Sequence, residues 1–336
     1  MNVKNPIFII GCPRSGTTVI SEVLAAHHNL AWFSNWMNRY PRVPFLATFS
    51  RVCDLPILGE RIRGAKRQND ESYPLLSRYA PRPEEAWHIW EYCCSAKFRS
   101  DMLKETKPSE EEKRRAQRFV RLTCLYQGKN RFVAKLTGPP RMTYLREIFP
   151  DAYFVHIIRD GRAVVNSLLN VDFWRERGGL ERPWWSGLPD ESIQQWEECG
   201  KTPEALAAVQ WKYLIELARQ ESKVIPAGHY LEVKYEDFTR RPQETVEAIQ
   251  QYCELPASWQ IRSYITTRVA VQDMNFKWQE KFADPHRTVL HKIMGPLLCE
   301  LGYHRPDDVN EYESGSMERK VHSLANSAQE NRSTIV

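Results

Sequence analysis

The chain has 336 residues, 42% of them hydrophobic and 26% charged, with a formal net charge of +5. That length admits one large α/β domain or two small ones, and that composition builds a core and excludes a disordered chain. So small a basic surplus suits a pocket for an anionic small molecule, or simply an ordinary surface; a nucleic-acid groove would carry a denser basic stripe, so no nucleic-acid partner is expected.

In chain order, Ile7 to Ile10 reads as a buried strand, followed by a turn bounded by Gly11 and Gly16 and an amphipathic helix from Thr17 to His27. Residues 29–82 are irregular, aromatic and basic, the kind of long connection that in a compact domain is functional or a lid. The pattern predicts a helix from Glu84 to Phe98 with Pro83 in its first turn, and another begun by Ser109 and running to about Tyr126. Arg131–Lys135 is a short strand, then a turn at 137–140 and a helix to Phe149. Ala152–Ile158 is a second buried strand, and Arg159-Asp160-Gly161 opens a helix. A Trp- and Gly-rich stretch, 172–200, precedes a long helix from Pro203 to Glu221. His229–Val233 is a further strand, and helices at 242–253 and 286–301 close the fold. Alternating strands and helices imply an α/β fold, a phosphate-loop-like parallel sheet of four to five strands with helices on both faces. The expected organisation is one domain over 1–304, with a helical and irregular insert at about 29–130 and a polar tail at 305–336.

Eight cysteines occur with no C-x-x-C pair and no His/Cys cluster at zinc spacing. Free thiols in a reducing compartment and no metal are therefore expected. The first strand begins at about residue 6, leaving no room for a leader before it. No apolar run reaches the ~18 residues that span a bilayer, so no transmembrane segment and a cytoplasmic location are expected.

In such sheets ligands bind beyond the carboxyl ends of the strands. Gly11-x4-Gly16 has the spacing of a phosphate loop and leads into a helix N-terminus, where backbone N–H groups converge on an anion. Thr17 stands where a nucleotide triphosphatase has lysine, and the cation sits inside the loop at Arg14. Lys135 and Arg159 end two further strands on the same edge. Ser167, eight residues after Arg159, can join it in holding a second phosphate. From the loop alone a nucleotide kinase or triphosphatase is the alternative; Thr17, and the absence of a strand ending in a clear magnesium aspartate, count against it.

With these residues in view, the chain resembles the sulfotransferase family that uses 3′-phosphoadenosine 5′-phosphosulfate. Pro13-Arg-Ser-Gly-Thr-Thr18 matches its 5′-phosphosulfate loop, and Tyr153 through Ser167 matches its 3′-phosphate strand and helix. The resemblance extends through Lys135, Pro150-Asp151 and Lys234-Tyr-Glu-Asp-Phe238. Arg14, where cytosolic hormone-type enzymes have lysine, is similar to the carbohydrate and tyrosyl-protein branch. The resemblance implies metal-independent, in-line transfer of a sulfuryl group to a hydroxyl or amine, with 3′,5′-ADP as product and a small-molecule, glycan or glycolipid acceptor. It assigns Arg14, Ser15, Gly16, Thr17 and Thr18 to the phosphosulfate, Arg159 and Ser167 to the 3′-phosphate, and Lys135 to charge stabilisation. It also makes Lys277-Trp278 a candidate late cofactor loop.

The family's base does not carry over: Thr137 holds the histidine position of one branch, and Ser34 and Asn35 fall where another has glutamate. The local candidates are Glu84, Glu85 and His88, of which Glu85 and His88 are spaced to share one helix face; the alternatives are a helix-dipole partner and a surface histidine. A member that binds nucleotide without catalysing transfer remains a third reading. Trp32, Trp36, Trp174, Trp184 and Trp185 are candidates for stacking on an acceptor, whereas Trp196, Trp211 and Trp259 are assigned to the core. His27 and His28 are expected as helix C-terminal cations.

Overall fold

A computed structural model of the chain describes residues 3–55, 79–176, 178–179, 181–269 and 275–303. The polar tail therefore lies outside the described residues. Five strands, β1 (Ile7–Gly11), β2 (Leu30–Ala31), β3 (Arg131–Thr137), β4 (Tyr153–Ile158) and β5 (Tyr230–Lys234), form one parallel sheet in the order β2-β3-β1-β4-β5. The expected parallel α/β sheet is thus present.

Because side chains alternate across a strand, each central strand feeds two cores. Phe8, Ile10, Phe132, Ala134 and Phe154 pack under the helices Trp87–Cys93, Glu110–Gln127 and Met142–Ile148. Ile7, Ile9, Val133, Val155 and Ile157 pack under Thr17–Ala25 on the other face, with Pro242–Tyr252 and Trp259–Arg268 beside it. A third core beyond the end of β4 joins Gly161–Leu168, Pro203–Ser222 and Asp284–Glu300. The same alternation puts Lys135 and Thr137 on the first-helix side of β3. There they are only half-buried at the strand's carboxyl end, while Phe132 and Leu136 are buried opposite.

Local signals fix several helix starts. Ser109 forms a full capping box with Glu112, Thr202 caps the long helix at Ala205 N–H, and Asp160 caps Gly161–Leu168 by accepting from Arg162 N–H. Such caps satisfy backbone donors that the first helical turn leaves open, each contributing about 1 kcal/mol.

Three expectations are corrected. The helix foreseen from Glu84 begins only at Trp87, because Ala86 lies in the left-handed region at φ 56° and Pro83 bridges Ser34 instead of starting a turn of helix. Trp259 is 63% exposed, since its helix turns Ile261 and Tyr264 inward, while Trp32, just past β2, and Trp174, on the short helix Asp172–Glu176, are buried. His27 is no helix-end cation. It is fully buried, with Nε2 2.9 Å from the Pro256 carbonyl oxygen and Nδ1 accepting from Asn29 N–H, and burial pushes its pKa down to about 4.

All eight cysteines are free thiols, and among the described residues no group of His, Cys, Asp or Glu could hold a metal ion. Nor is any helix among the described residues long and apolar enough to cross a membrane.

Candidate active site

The turn after β1 is shaped by its backbone. Gly16 has φ 86°, and a Cβ there would lie 2.1 Å from a ring carbon of Tyr235. Only glycine fits, because a side chain would meet both the left-handed conformation and the tyrosine. Arg14 also has positive φ, at 72°, a conformation that a non-glycine residue keeps only when its surroundings enforce it. Those surroundings are visible: Arg14 Nε donates to Ser167 Oγ at 2.9 Å, and its carbonyl accepts from Arg159 Nη1 at 2.9 Å. Arg14 thus touches both of the residues expected to hold the donor's 3′-phosphate.

Arg14 and Arg159 are like charges held side by side with no carboxylate in contact with Arg14's guanidinium among the described residues. Although the Arg14 side chain reaches solvent, the protein packed around it and then the charge of Arg159 both push its pKa below the usual arginine value. A concentrated positive field of this kind is relieved by an anion. In the same loop Ser15 Oγ is buried with no hydrogen-bond partner, a vacancy that a phosphate oxygen would fill. On these observations the residues fit a phosphorylated ligand.

Arg159 is held by groups to which the sequence reading gave no role. Its guanidinium lies 4.7 Å from the centre of the Tyr235 ring, and its Nε donates to Asn275 Oδ1 at 2.9 Å. Asn275 in turn donates to Glu236 Oε1, which also accepts from Asp160 N–H, and Tyr303 OH donates to Glu236 Oε2 at 2.7 Å. The end of β5 thus clamps the end of β4. The sequence signals for Tyr235 and Glu236 are their position at a strand's carboxyl end and their place in the matched run Lys234-Tyr-Glu-Asp-Phe238. Lys277 is exposed on a short helix, Lys277–Lys281, and it is Asn275, two residues earlier, that reaches Arg159.

Beside the loop, Lys135 Nζ donates to Thr18 Oγ1 at 3.0 Å and lies 3.4 Å from Glu85 Oε1. Glu85 Oε1 also accepts from Thr137 Oγ1 at 2.7 Å, and Oε2 from Trp87 Nε1 at 2.7 Å. Glu85 arrives there because the segment before it is stitched to the end of β2: Glu84 N–H donates to the Phe33 carbonyl, and Asn35 and Arg82 exchange bonds. The left-handed Ala86 then turns the chain so that Glu85 and Trp87 converge. The threonine at the family's histidine position thus hands its hydroxyl to a carboxylate from the insert. His88 is placed differently, its backbone N–H and its ring Nδ1 both meeting Asn38.

A cavity of about 320 Å³ opens over these groups, lined by Arg14, Thr17, Thr18, Glu85, Lys135 and Thr137. Trp87, Arg99, Phe173, Trp184 and Trp185 complete its lining. Of the tryptophans considered for an acceptor, Trp184 and Trp185 line it, stacked with centroids 4.6 Å apart; Trp32, Trp36 and Trp174 do not. His88 and Lys277 are also absent from its lining. A larger cavity of about 500 Å³ lies between Trp259 and Arg51, away from all of these groups. We give it no part in the chemistry, because size without convergent charge is not a site.

Comparison with known proteins bears on this geometry. A family model described as the sulfotransferase family matches residues 6–260. The chain is 24% identical over 336 aligned positions to an omega-hydroxy-beta-dihydromenaquinone-9 sulfotransferase, Stf3, of Mycobacterium bovis, covering 89% of this chain and 76% of that protein. It is 22% identical to an uncharacterized protein of Aquifex aeolicus, covering 83% of this chain and 29% of that one. Among solved structures, the sulfotransferase STF9 of Mycobacterium avium superposes with a TM-score of 0.53 at 19% identity, over 89% of this chain and 77% of that one. That likeness concerns the fold.

Proposed function

The chain belongs to the sulfotransferase family, and from that premise we propose that it transfers a sulfuryl group from 3′-phosphoadenosine 5′-phosphosulfate to the hydroxyl of a small-molecule acceptor. The observation that carries the donor assignment is the cluster Arg14–Ser167–Arg159, two like charges and a hydroxyl within hydrogen-bond reach beside a phosphate loop with an unpartnered Ser15 hydroxyl. Arg159 and Ser167 hold the 3′-phosphate. The backbone amides and hydroxyls of Ser15 to Thr18, with Arg14, hold the 5′ end.

When bound, the donor supplies an activated sulfuryl group with a phosphate as its leaving group. By analogy with phosphoryl transfer, the protein then contributes positioning and charge stabilisation. Arg14 and Lys135 stabilise negative charge at the loop. Glu85 lines the cavity beside Lys135 and Thr137 and receives the acceptor's proton; its bonds from Thr137 and Trp87 fix the carboxylate's orientation. A hydroxyl acceptor agrees in class with the omega-hydroxy compound named for the mycobacterial relative. A sugar or glycolipid hydroxyl, suggested by tryptophans at the cavity, belongs on the same acceptor panel.

The test is transfer of radiolabelled sulfate from the donor to glycans, phenols and long-chain alcohols in excess chelator. Labelled product in chelator is the expected result. A requirement for magnesium, or hydrolysis of nucleoside triphosphate in its place, would return the loop to the kinase and triphosphatase reading.

A further inference from the structure

The donor assignment uses Arg14, Lys135 and Arg159, and leaves one cavity-lining cation unexplained. Arg99 lines the cavity, and its Nε is buried without a hydrogen-bond partner. Among the described residues its side chain makes no ion pair, and its carbonyl accepts from Arg141 at 3.4 Å. Arg141 lies beside it, fully buried, bonded to carbonyl oxygens, 5.7 Å from the centre of the Trp87 ring and within the field of Glu221, Asp101 and Glu85. Burial pushes its pKa down to about 9, which still leaves it charged at neutral pH.

Three of the residues that line the cavity with Arg99 are flat and apolar. Trp184 stacks on Trp185 with an interplanar angle of 15°, and Phe173 meets Trp184 at 5.5 Å. Trp185 is pressed onto Gly138, where a Cβ would lie 2.4 Å from the ring, so the pair is anchored to the loop that follows β3. An aromatic wall beside an unpaired guanidinium is a recognition pattern for a flat molecule that carries an anionic oxygen group.

Resting on the sulfotransferase reading, we propose that the acceptor bears, besides its reacting hydroxyl, an anionic oxygen group that pairs with Arg99, and a ring face that lies against Trp184. Arg99 is then the specificity residue of the acceptor side. Uronic-acid glycosides and hydroxyaryl acids have this chemistry.

Matched probes test it. 4-Nitrophenyl β-glucuronide and 4-nitrophenyl β-glucoside differ in one carboxylate, as do 3-(4-hydroxyphenyl)propionate and 4-hydroxyphenethyl alcohol. Their binding is measured by calorimetry with saturating 3′,5′-ADP, so that the donor cations are occupied. At least one carboxylate probe binds about ten- to a hundredfold tighter than its neutral partner, the range for a charge-assisted hydrogen bond. Arg99→Met abolishes that preference, while Arg99→Lys keeps part of it and 3′,5′-ADP binding is unchanged in both. Equal binding within both pairs, or a preference that survives Arg99→Met, overturns the proposal. Failure of the wild type to bind 3′,5′-ADP sinks the donor reading instead, and is measured first and separately.

Discussion

Replacing Glu85 by Gln isolates the carboxylate's charge from its shape. Glu85 accepts two bonds of 2.7 Å, from Thr137 Oγ1 and Trp87 Nε1, and lies 3.4 Å from Lys135 Nζ. Glutamine keeps one carbonyl oxygen for the Trp87 N–H, and its amide can donate to the Thr137 hydroxyl. Lys135 retains its bond to Thr18. The cost to folding is thus about 1 kcal/mol, one weakened hydrogen bond. The cost to turnover is larger, because a general base contributes about 10²- to 10⁴-fold, or about 2.7–5.4 kcal/mol of barrier. The assay is steady-state transfer to a series of phenols of graded acidity. In the variant, kcat falls by that factor for weakly acidic acceptors and much less for those already ionised, while donor affinity is unchanged. A drop of less than about fivefold across the whole series would refute Glu85 as the proton acceptor.

Other consequences are equally direct. Arg14→Ala lowers kcat by about 10²- to 10³-fold and donor affinity by less than tenfold, if the guanidinium acts on charge that develops during transfer; single-turnover kinetics separate the two. Gly16→Ala forces a Cβ to within 2.1 Å of Tyr235 and a left-handed alanine, so thermal unfolding shows a loss of about 1–3 kcal/mol and donor binding weakens as Tyr235 shifts under Arg159. His27 and His156 are buried, each with its pKa pushed down to about 4 by desolvation. A base whose folded pKa is depressed contributes stability that is full above its unfolded value of about 6.5 and lost as pH falls toward 4, by about 2–3 kcal/mol per group. Melting temperature measured between pH 7.5 and 4 should fall through that window, and His27→Gln should flatten part of the fall.

Much of the fold was legible because local signals agree with the tertiary structure. The apolar run Ile7–Ile10, the Ser109 capping box and Pro203 at a helix start each fix an element whatever surrounds it. β2 was not legible, since two residues carry no periodicity; it exists because Leu30 and Ala31 pair with the start of β3. The phosphate side of the site could be read because spacing along one strand–turn–helix unit encodes it. The rest of the site is built by contacts that sequence does not announce: Glu85 meets Thr137 across 52 positions, and Asn275 meets Arg159 across 116. Tryptophans misled where helical context stood in for burial, as the exposed Trp259 and buried Trp174 show.

The donor assignment rests on Arg159 and Ser167 reading a 3′-phosphate, and one titration addresses it most directly. Wild-type protein and Arg159→Ala are titrated calorimetrically with 3′,5′-ADP and with 5′-AMP, both in excess chelator. The wild type should favour the nucleotide that carries the 3′-phosphate by about ten- to a hundredfold, or about 1.5–3 kcal/mol, and Arg159→Ala should remove most of that difference. Equal affinity of the wild type for the two nucleotides would contradict the account.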